Sequence, residues 1–404
     1  MDIKFTDSFL WGAAISSYQC EGGNFNADWF TWEKKQGLEE ALLACDHYNL
    51  FNNDFELAKK INLNSLRISI EWSRICPDQY TFLEEEIEHY LRVIDSLIKN
   101  NLKPVVTLHH FTNPIWFADK GGWSDHKSID YFIIYLRKIT EALKGKVDTW
   151  LIFNEPLVYI YNGYIHGIWP PGEKSIKLAV KALNNIIKAY MIGYKEIKII
   201  YKDTLVIPNI SLTKNVRVFS GCDKGNFGLN SFAAFIRSNC FNFWLFDYLN
   251  KKKCLDFIGL NFYCKEYTKF QFPFGRECKN QHHKERQNSL DWFISPQGFY
   301  DVLIKLKKYK LPVIVMENGT SESDESYYEE YLTKHLKSLA QAINDGVDVV
   351  GYFWWSLLDN FEWDQGRKGR FGLIEVDYNT MKRKIRPFAN IYGKICIQNR
   401  LSVK

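Results

Sequence analysis

The sequence predicts an α/β fold, a single (β/α)8 barrel spanning residues 1–404, and three observations carry that expectation. Short apolar runs alternate with helix-patterned stretches along the whole chain, as in a parallel sheet with helical crossovers. Two of those runs end in a carboxylate: Thr149–Phe153 before Asn154-Glu155-Pro156, and Pro312–Met316 before Glu317-Asn318-Gly319. No composition break, internal repeat or low-complexity linker divides the units, so eight of them are expected to close as one TIM-type barrel.

Each element has its own warrant. Phe9–Ile15 (FLWGAAI) is the first strand, leading into Ser16–Gly23 with Gln19 and Glu21. Phe51, Phe55, Leu57, Ala58 and Ile61 recur at helical spacing, which makes 46–61 a helix. Ser65–Ile70 is the second strand. Arg67 within it needs an anionic partner, because an unpaired buried charge is very costly. Residues 84–99 form a helix, Pro104–His110 the third strand, ending in His109 and His110, and 128–143 a helix.

Trp150–Phe153 has no polar face and reads as a buried fourth strand. Pro156 lacks an N–H, so the ladder is expected to stop there and give way to a loop. A helix over 175–197 follows. Thr204–Ile210 is the fifth strand, with Pro208 inside it. Residues 230–249 are expected as an aromatic-rich helix, Leu255–Tyr263 as the sixth strand and 296–308 as a helix. Pro312–Glu317 is the seventh strand, 325–344 a helix, and Val347–Trp355 the eighth strand. The polar stretch 271–288 is expected to be one long loop over the top of the barrel.

Composition narrows the function. The chain is 46% apolar and 25% charged, ordinary for a globular protein. Its 52 basic and 47 acidic residues leave a net charge of +5, too balanced to argue for a nucleic-acid partner. Nine cysteines, an odd number with no CxxC pair, read as free thiols in a reducing, cytoplasmic compartment. Neither a signal peptide nor a long apolar span is visible, so no membrane partner is expected.

The strand ends carry Gln19, Arg67, His110, Asn154, Glu155, Asn261, Tyr263, Glu317 and Trp355, with Glu362 and Trp363 just beyond the last. No His, Cys and Asp cluster stands at metal-ligand spacing, and there is no glycine-rich phosphate loop or dinucleotide fingerprint. Metal and cofactor are therefore expected to be none. Acids and amides suit sugar hydroxyls, and an indole suits the apolar face of a sugar ring. Glycoside cleavage needs two carboxyls, one protonated for the leaving oxygen and one ionised at the anomeric carbon. Taken singly, Arg67 could be a structural ion pair, His110 a satisfied core histidine, Trp355 plain core and Tyr263 packing under a loop.

The motifs FLWGAAISSYQCEGG, DHYNLFNNDFELAKKINLNSLRISIEWSRI, TLHHFTNPIWFADKGGW, TWLIFNEP, LDFIGLNFY, VIVMENG, GYFWWSLLDNFEW and RFGLIEVDY run in order from Phe9 to Tyr378. In these the chain resembles glycoside hydrolase family 1, the β-glucosidase and β-galactosidase family. The resemblance implies a retaining β-glycosidase acting on a small β-glycoside or oligosaccharide. Glu155 would be its general acid/base and Glu317 its nucleophile. Arg67 and Tyr263 would flank the nucleophile, with Asn261 also in support, and Asn154 would bond the sugar 2-hydroxyl. Gln19, His110, Glu362 and Trp363 would bind the remaining hydroxyls, over a floor formed by Trp355.

The chain departs from the family pattern at Phe111 and Thr112, and at Tyr190, where a helix histidine is usual. Segments near 211–239 and after the sixth strand look trimmed, which implies a more open leaving-group side. Two other readings stay open: a catalytically silent sugar-binding paralogue, and a 6-phospho-β-glycosidase. Against the second, Glu362 stands where that branch has a serine, and Phe371 where it has a tyrosine. The preferred sugar, the aglycone and the oligomeric state are not set by the sequence.

Overall fold

Eight parallel strands close into a barrel in the computed structural model, which describes residues 2–222, 228–271, 275–278 and 286–402. They are β1 (Leu10–Ala14), β2 (Ser65–Ser69), β3 (Lys103–His109), β4 (Thr149–Phe153), β5, β6 (Ile258–Asn261), β7 (Val313–Asn318) and β8 (Val349–Trp355). Strand β5 comes in two pieces. Asn209–Ser211 pairs with β4, and Thr213–Asn215 pairs with β6, so the step at Leu212 completes the ring. The pairing of β8 with β1 closes the other side. Register aligns the upper rungs: Arg67 lies beside Ala14, Ala14 beside Trp355, and Glu317 beside Asn261.

The two-residue period of the strands sorts their side chains. Val105, Leu151, Ile314, Met316 and Phe353 form a small apolar cluster inside the barrel. Their neighbours Val106, Trp150, Ile152, Val315 and Trp354 join the larger cluster shared with the helices. Both strand faces are thus buried, which explains why β4 and β7 read as unbroken apolar runs. Each fully buried Leu, Ile or Val contributes roughly 1.5–3 kcal/mol.

The helices predicted over 46–61, 84–99, 128–143, 175–197, 296–308 and 325–344 are present within a few residues of those bounds. Several expectations need correction. The fifth strand is not 204–210: Leu205 and Ile207 are exposed, and pairing begins only past Pro208, whose ring nitrogen has no hydrogen to donate. The helix over 230–249 is two helices, Leu229–Phe241 and Trp244–Lys251. The break falls at Asn242, whose side chain bonds both the N–H and the C=O of Arg217. Pro156 opens no loop; it is the first residue of the helix Pro156–Ile160, where its fixed φ fits and its missing N–H is not needed.

The segments that looked trimmed carry structure above the barrel rim. Val218–Gly221 pairs in parallel with Lys265–Lys269, which pairs antiparallel with Arg276–Glu277. Of the loop expected over 271–288, residues 276–277 are therefore strand, while 272–274 and 279–285 lie outside the described residues. Tyr190 is buried with its hydroxyl donating to Cys254 O at 2.7 Å, so the helix keeps a bonded polar group at that position. At the opposite end of the barrel Asp2–Lys4 pairs antiparallel with Arg400–Ser402. Among the described residues no helix is long and apolar enough to cross a membrane.

Candidate active site

A cavity of about 360 Å³ opens at the C-terminal ends of the strands. Gln19, His110, Asn154, Glu155, Tyr263, Glu317, Trp355, Glu362 and Trp363 all line it. Arg67 and Asn261 stand behind that wall, fully buried and bonded to residues that do line it. All the site residues named from the sequence thus meet in one place, although they come from the ends of seven strands and the segment after β8.

Glu317 ends β7 with both oxygens engaged. Arg67 Nη1 donates to its Oε1, and the Tyr263 hydroxyl donates to its Oε2 at 2.5 Å. The expected Arg67–Glu317 contact is present. Arg67 is itself fixed by bonds from Nε to Thr107 Oγ1 at 3.0 Å and from Nη2 to Asn154 Oδ1 at 2.7 Å. Thr213 Oγ1 also donates to Asn154 Oδ1, at 2.6 Å. Two donors on Oδ1 assign the amide orientation, so Asn154 Nδ2 faces His110 Nε2 at 3.1 Å. His110 Nε2 then accepts, and the ring proton belongs on Nδ1, which finds no partner among the described residues. Burial, with the Arg67 charge second, holds the His110 pKa well below its usual value, so the ring is neutral.

Glu155 sits just past β4 with φ +42°, a left-handed conformation that a side chain rarely adopts. Its N–H is met by Thr213 O at 3.1 Å and Thr213 Oγ1 at 3.2 Å. One carboxyl oxygen accepts from Asn261 Nδ2 at 2.7 Å. Burial first, and then repulsion from Glu317, pushes the Glu155 pKa up to about 8. Burial also raises Glu317, but there the Arg67 charge and the Tyr263 hydroxyl oppose it. Within this coupled pair the shared proton resides on Glu155, because the cation and the phenol both favour an ionised Glu317.

Across the cavity Gln19 Nε2 donates to Glu362 Oε2 at 3.2 Å and to Phe361 O at 2.8 Å, while Ser16 Oγ donates to Gln19 Oε1 at 2.7 Å. Burial, then Glu317, pushes Glu362 up to about 8. The rings of Trp355 and Trp363 lie within 24° of parallel to His110, with centroids 5.9 and 6.3 Å away. His109, one residue earlier, belongs to the other strand face and packs with Asn113 and Trp123. Among the described residues no group of three or more His, Cys, Asp or Glu side chains is placed to share a metal ion.

Thr107 and Thr213 went unremarked in the sequence. Thr107 was findable as the polar residue inside the apolar run Pro104–Leu108. Thr213 was hidden by the misplaced fifth strand. Arg217, Arg237 and Glu266, on the small sheet and the helix beside it, also line the cavity.

A closed barrel with two carboxyls, amides and indoles on its C-terminal rim is the architecture of a barrel glycosidase. Glycosyl hydrolase family 1 matches residues 1–223 and 236–401. Beta-glucosidase A of Thermotoga maritima is 30% identical over 98% of this chain and 99% of its own length. A 6-phospho-beta-galactosidase of Clostridium acetobutylicum is 28% identical over 98% of each. A solved beta-glycosidase from Pyrococcus horikoshii superposes with a TM-score of 0.92 at 33% identity, covering 100% of this chain and 97% of that one. The chain belongs to glycosyl hydrolase family 1.

Proposed function

We propose that the protein is a retaining β-glycosidase that removes terminal, unphosphorylated β-glucosyl, β-galactosyl or β-fucosyl residues, with Glu317 as nucleophile and Glu155 as general acid/base. The observation that carries this reading is the unequal support of the two carboxyls. Glu317 accepts from a cation and a phenol, whereas Glu155 accepts from a neutral amide. An ionised Glu317 attacks the anomeric carbon while Glu155 gives its proton to the departing glycosidic oxygen, so the neutral aglycone leaves and a glycosyl ester forms. That ester has no negative charge, the repulsion that raised Glu155 disappears, and Glu155 can take a proton from water as the water opens the ester. The pair is expected at the retaining separation of about 5–5.5 Å.

Asn154 and the Nδ1–H of His110 are suited to sugar hydroxyls, Gln19 and Glu362 to the far edge of the ring, and Trp355 and Trp363 to its faces. Glu362 stands with Glu155 and Glu317 around the sugar, and among the described residues no Lys or Arg lines that end of the cavity to pair with a sugar phosphate, which favours unphosphorylated substrates. The intact supporting set around both acids favours an enzyme over a silent binder. A single apolar cluster that includes residues from Phe5 to Leu401 supports the reading of residues 1–404 as one barrel domain. Free thiols such as Cys20, Cys254 and Cys264 support residence in a reducing compartment.

Proton NMR of 4-nitrophenyl β-glucoside turnover tests the mechanism. The β-anomer of the free sugar is expected first. If the α-anomer appears first, the enzyme inverts and Glu317 is not the nucleophile. Parallel assays with 6-phosphorylated glycosides should show slower turnover; faster turnover there would overturn the sugar assignment.

A further inference from the structure

The sugar half of the cavity is acidic, with Glu155, Glu317 and Glu362. The half beyond Glu155 is built differently. Arg217, Phe219, Arg237, Phe241 and Glu266 line it. One carboxylate serves two guanidinium groups there. Glu266, buried, pairs with Arg237 Nη2 at 2.7 Å through Oε1 and with Arg217 Nη1 at 3.1 Å through Oε2.

The two arginines differ in what they have left to offer. Arg237 is buried with both terminal nitrogens engaged, Nη2 on Glu266 and Nη1 donating to the Tyr161 hydroxyl at 3.0 Å and to Gly275 O at 3.1 Å; its Nε is buried too and finds no partner among the described residues. Its guanidinium also lies against the rings of Tyr161, Phe219 and Phe241. Arg217 keeps a third of its side chain exposed, and its guanidinium makes the Glu266 bond alone among the described residues. Its backbone is clamped on both sides by Asn242. The result is a positioned guanidinium with an unused donor edge facing the cavity. Two other charges stand near: Lys214, buried and held near a pKa of about 7 by desolvation, and Glu277, exposed at the rim. Glu266 and Glu277 together balance the two arginines, so what this wall offers an anion is the unused donor edge of Arg217 rather than a net charge.

We propose that Arg217 makes the leaving-group half of the site selective for glycosides whose aglycone carries an oxyanion, carboxylate or phosphate. A planar guanidinium matches either group with two parallel N–H donors, and Phe219 and Phe241 supply apolar surface for the scaffold that carries it. The inference deepens the glycosidase reading and rests on it for the direction of the aglycone.

The test measures binding rather than turnover, so it survives failure of the mechanism. Calorimetry would compare three S-linked, non-hydrolysable aryl β-glucosides bearing a carboxamide, a carboxylate or a phosphonate at the same ring position. In the unaltered protein at 50 mM salt the charged ligands should bind at least about tenfold more tightly than the carboxamide, and that advantage should shrink severalfold at 500 mM. The larger of the two charged effects identifies the oxyanion. In Arg217→Gln the ratio of charged to neutral affinity should fall toward one, while Arg217→Lys should keep part of it. A ratio near one in the unaltered protein, or an undiminished ratio in Arg217→Gln, overturns the proposal. The salt titration of the unaltered protein decides the matter even where the variants do not fold.

Discussion

Glu155 and Glu317 differ by their neighbours, and the difference can be measured one residue at a time. Glu317→Gly should abolish turnover of every aryl glycoside, by more than about 10³-fold in kcat, with no rescue by better leaving groups. Glu155→Ala should spare the first step for nitrophenyl substrates, slow release of the sugar by roughly 10²–10⁴-fold, and recover with added azide, which needs no base. Failure of azide to accelerate it would remove Glu155 from the acid/base role. In the proposed mechanism the proton on Glu155 sets the alkaline side of the activity profile. With a pKa near 8, kcat/KM should fall as pH rises through that value. In Glu317→Gln the repulsion is gone, so a ¹³C-NMR titration should find Glu155 lower.

The same shift has a stability consequence, and its sign follows from linkage. Glu155 has a folded pKa raised from 4.5 to about 8, so its favourable contribution is complete below about 4.5 and is lost as pH rises toward 8. An amide has no proton to lose. Glu155→Gln should therefore be more stable than the unaltered protein at pH 8, on the order of 2 kcal/mol, and should lose that advantage near pH 4.5. Thermal melts of both proteins at the two pH values read the difference directly.

At the scale of elements, the site depends on how strand ends meet. Gly319 follows β7 and lies against the end of β8. A Cβ there would stand 1.9 Å from Trp355 O, a contact that backbone must move to relieve. Gly319→Ala should destabilise the protein by at least about 2 kcal/mol and displace Glu317 and Trp355 together. Loss of activity without loss of Tm would show that the displacement is confined to the site; no effect on either would contradict the packing. Thr213 joins β5 to the tip of β4 through its contacts with Asn154 and the Glu155 N–H. Thr213→Val keeps shape and removes the hydroxyl. It should lower kcat about tenfold and stability by roughly 1 kcal/mol, measured by steady-state kinetics and urea melts.

Across the whole molecule, the two ends of the chain fasten the bottom of the barrel. Asn399 sits at φ +47°, accepts from Trp11 Nε1 at 2.9 Å, and donates to Phe5 O at 3.2 Å and Thr6 O at 2.9 Å. Asn tolerates that backbone region better than most residues. Asn399→Ala gives up these bonds and the favoured conformation together and should cost about 2–3 kcal/mol, seen as a drop in Tm with kinetics on the surviving protein unchanged. The distance from the catalytic rim is the reason activity per folded molecule should hold.

The sequence by itself determined the strand–helix alternation, because barrel strands buried on both faces must be apolar throughout and their helices must be amphipathic. It also marked Glu155 and Glu317, since a carboxylate ending an apolar run stands out from its surroundings. The order of the motifs named the residues that gather around them. Only the tertiary structure decided where the fifth strand runs. Residues 204–207 (TLVI) are the more apolar, yet 209–215 (NISLTKN) do the pairing, because they fill the space left between β4 and β6, a constraint that local pattern does not contain. The same holds for Thr213, whose role comes from standing beside Asn154 across a strand pair, and for Arg217. Its charge is ordinary in the sequence. It becomes distinctive because Glu266, from a segment about fifty residues on, is shared with Arg237, leaving one guanidinium edge turned toward the cavity.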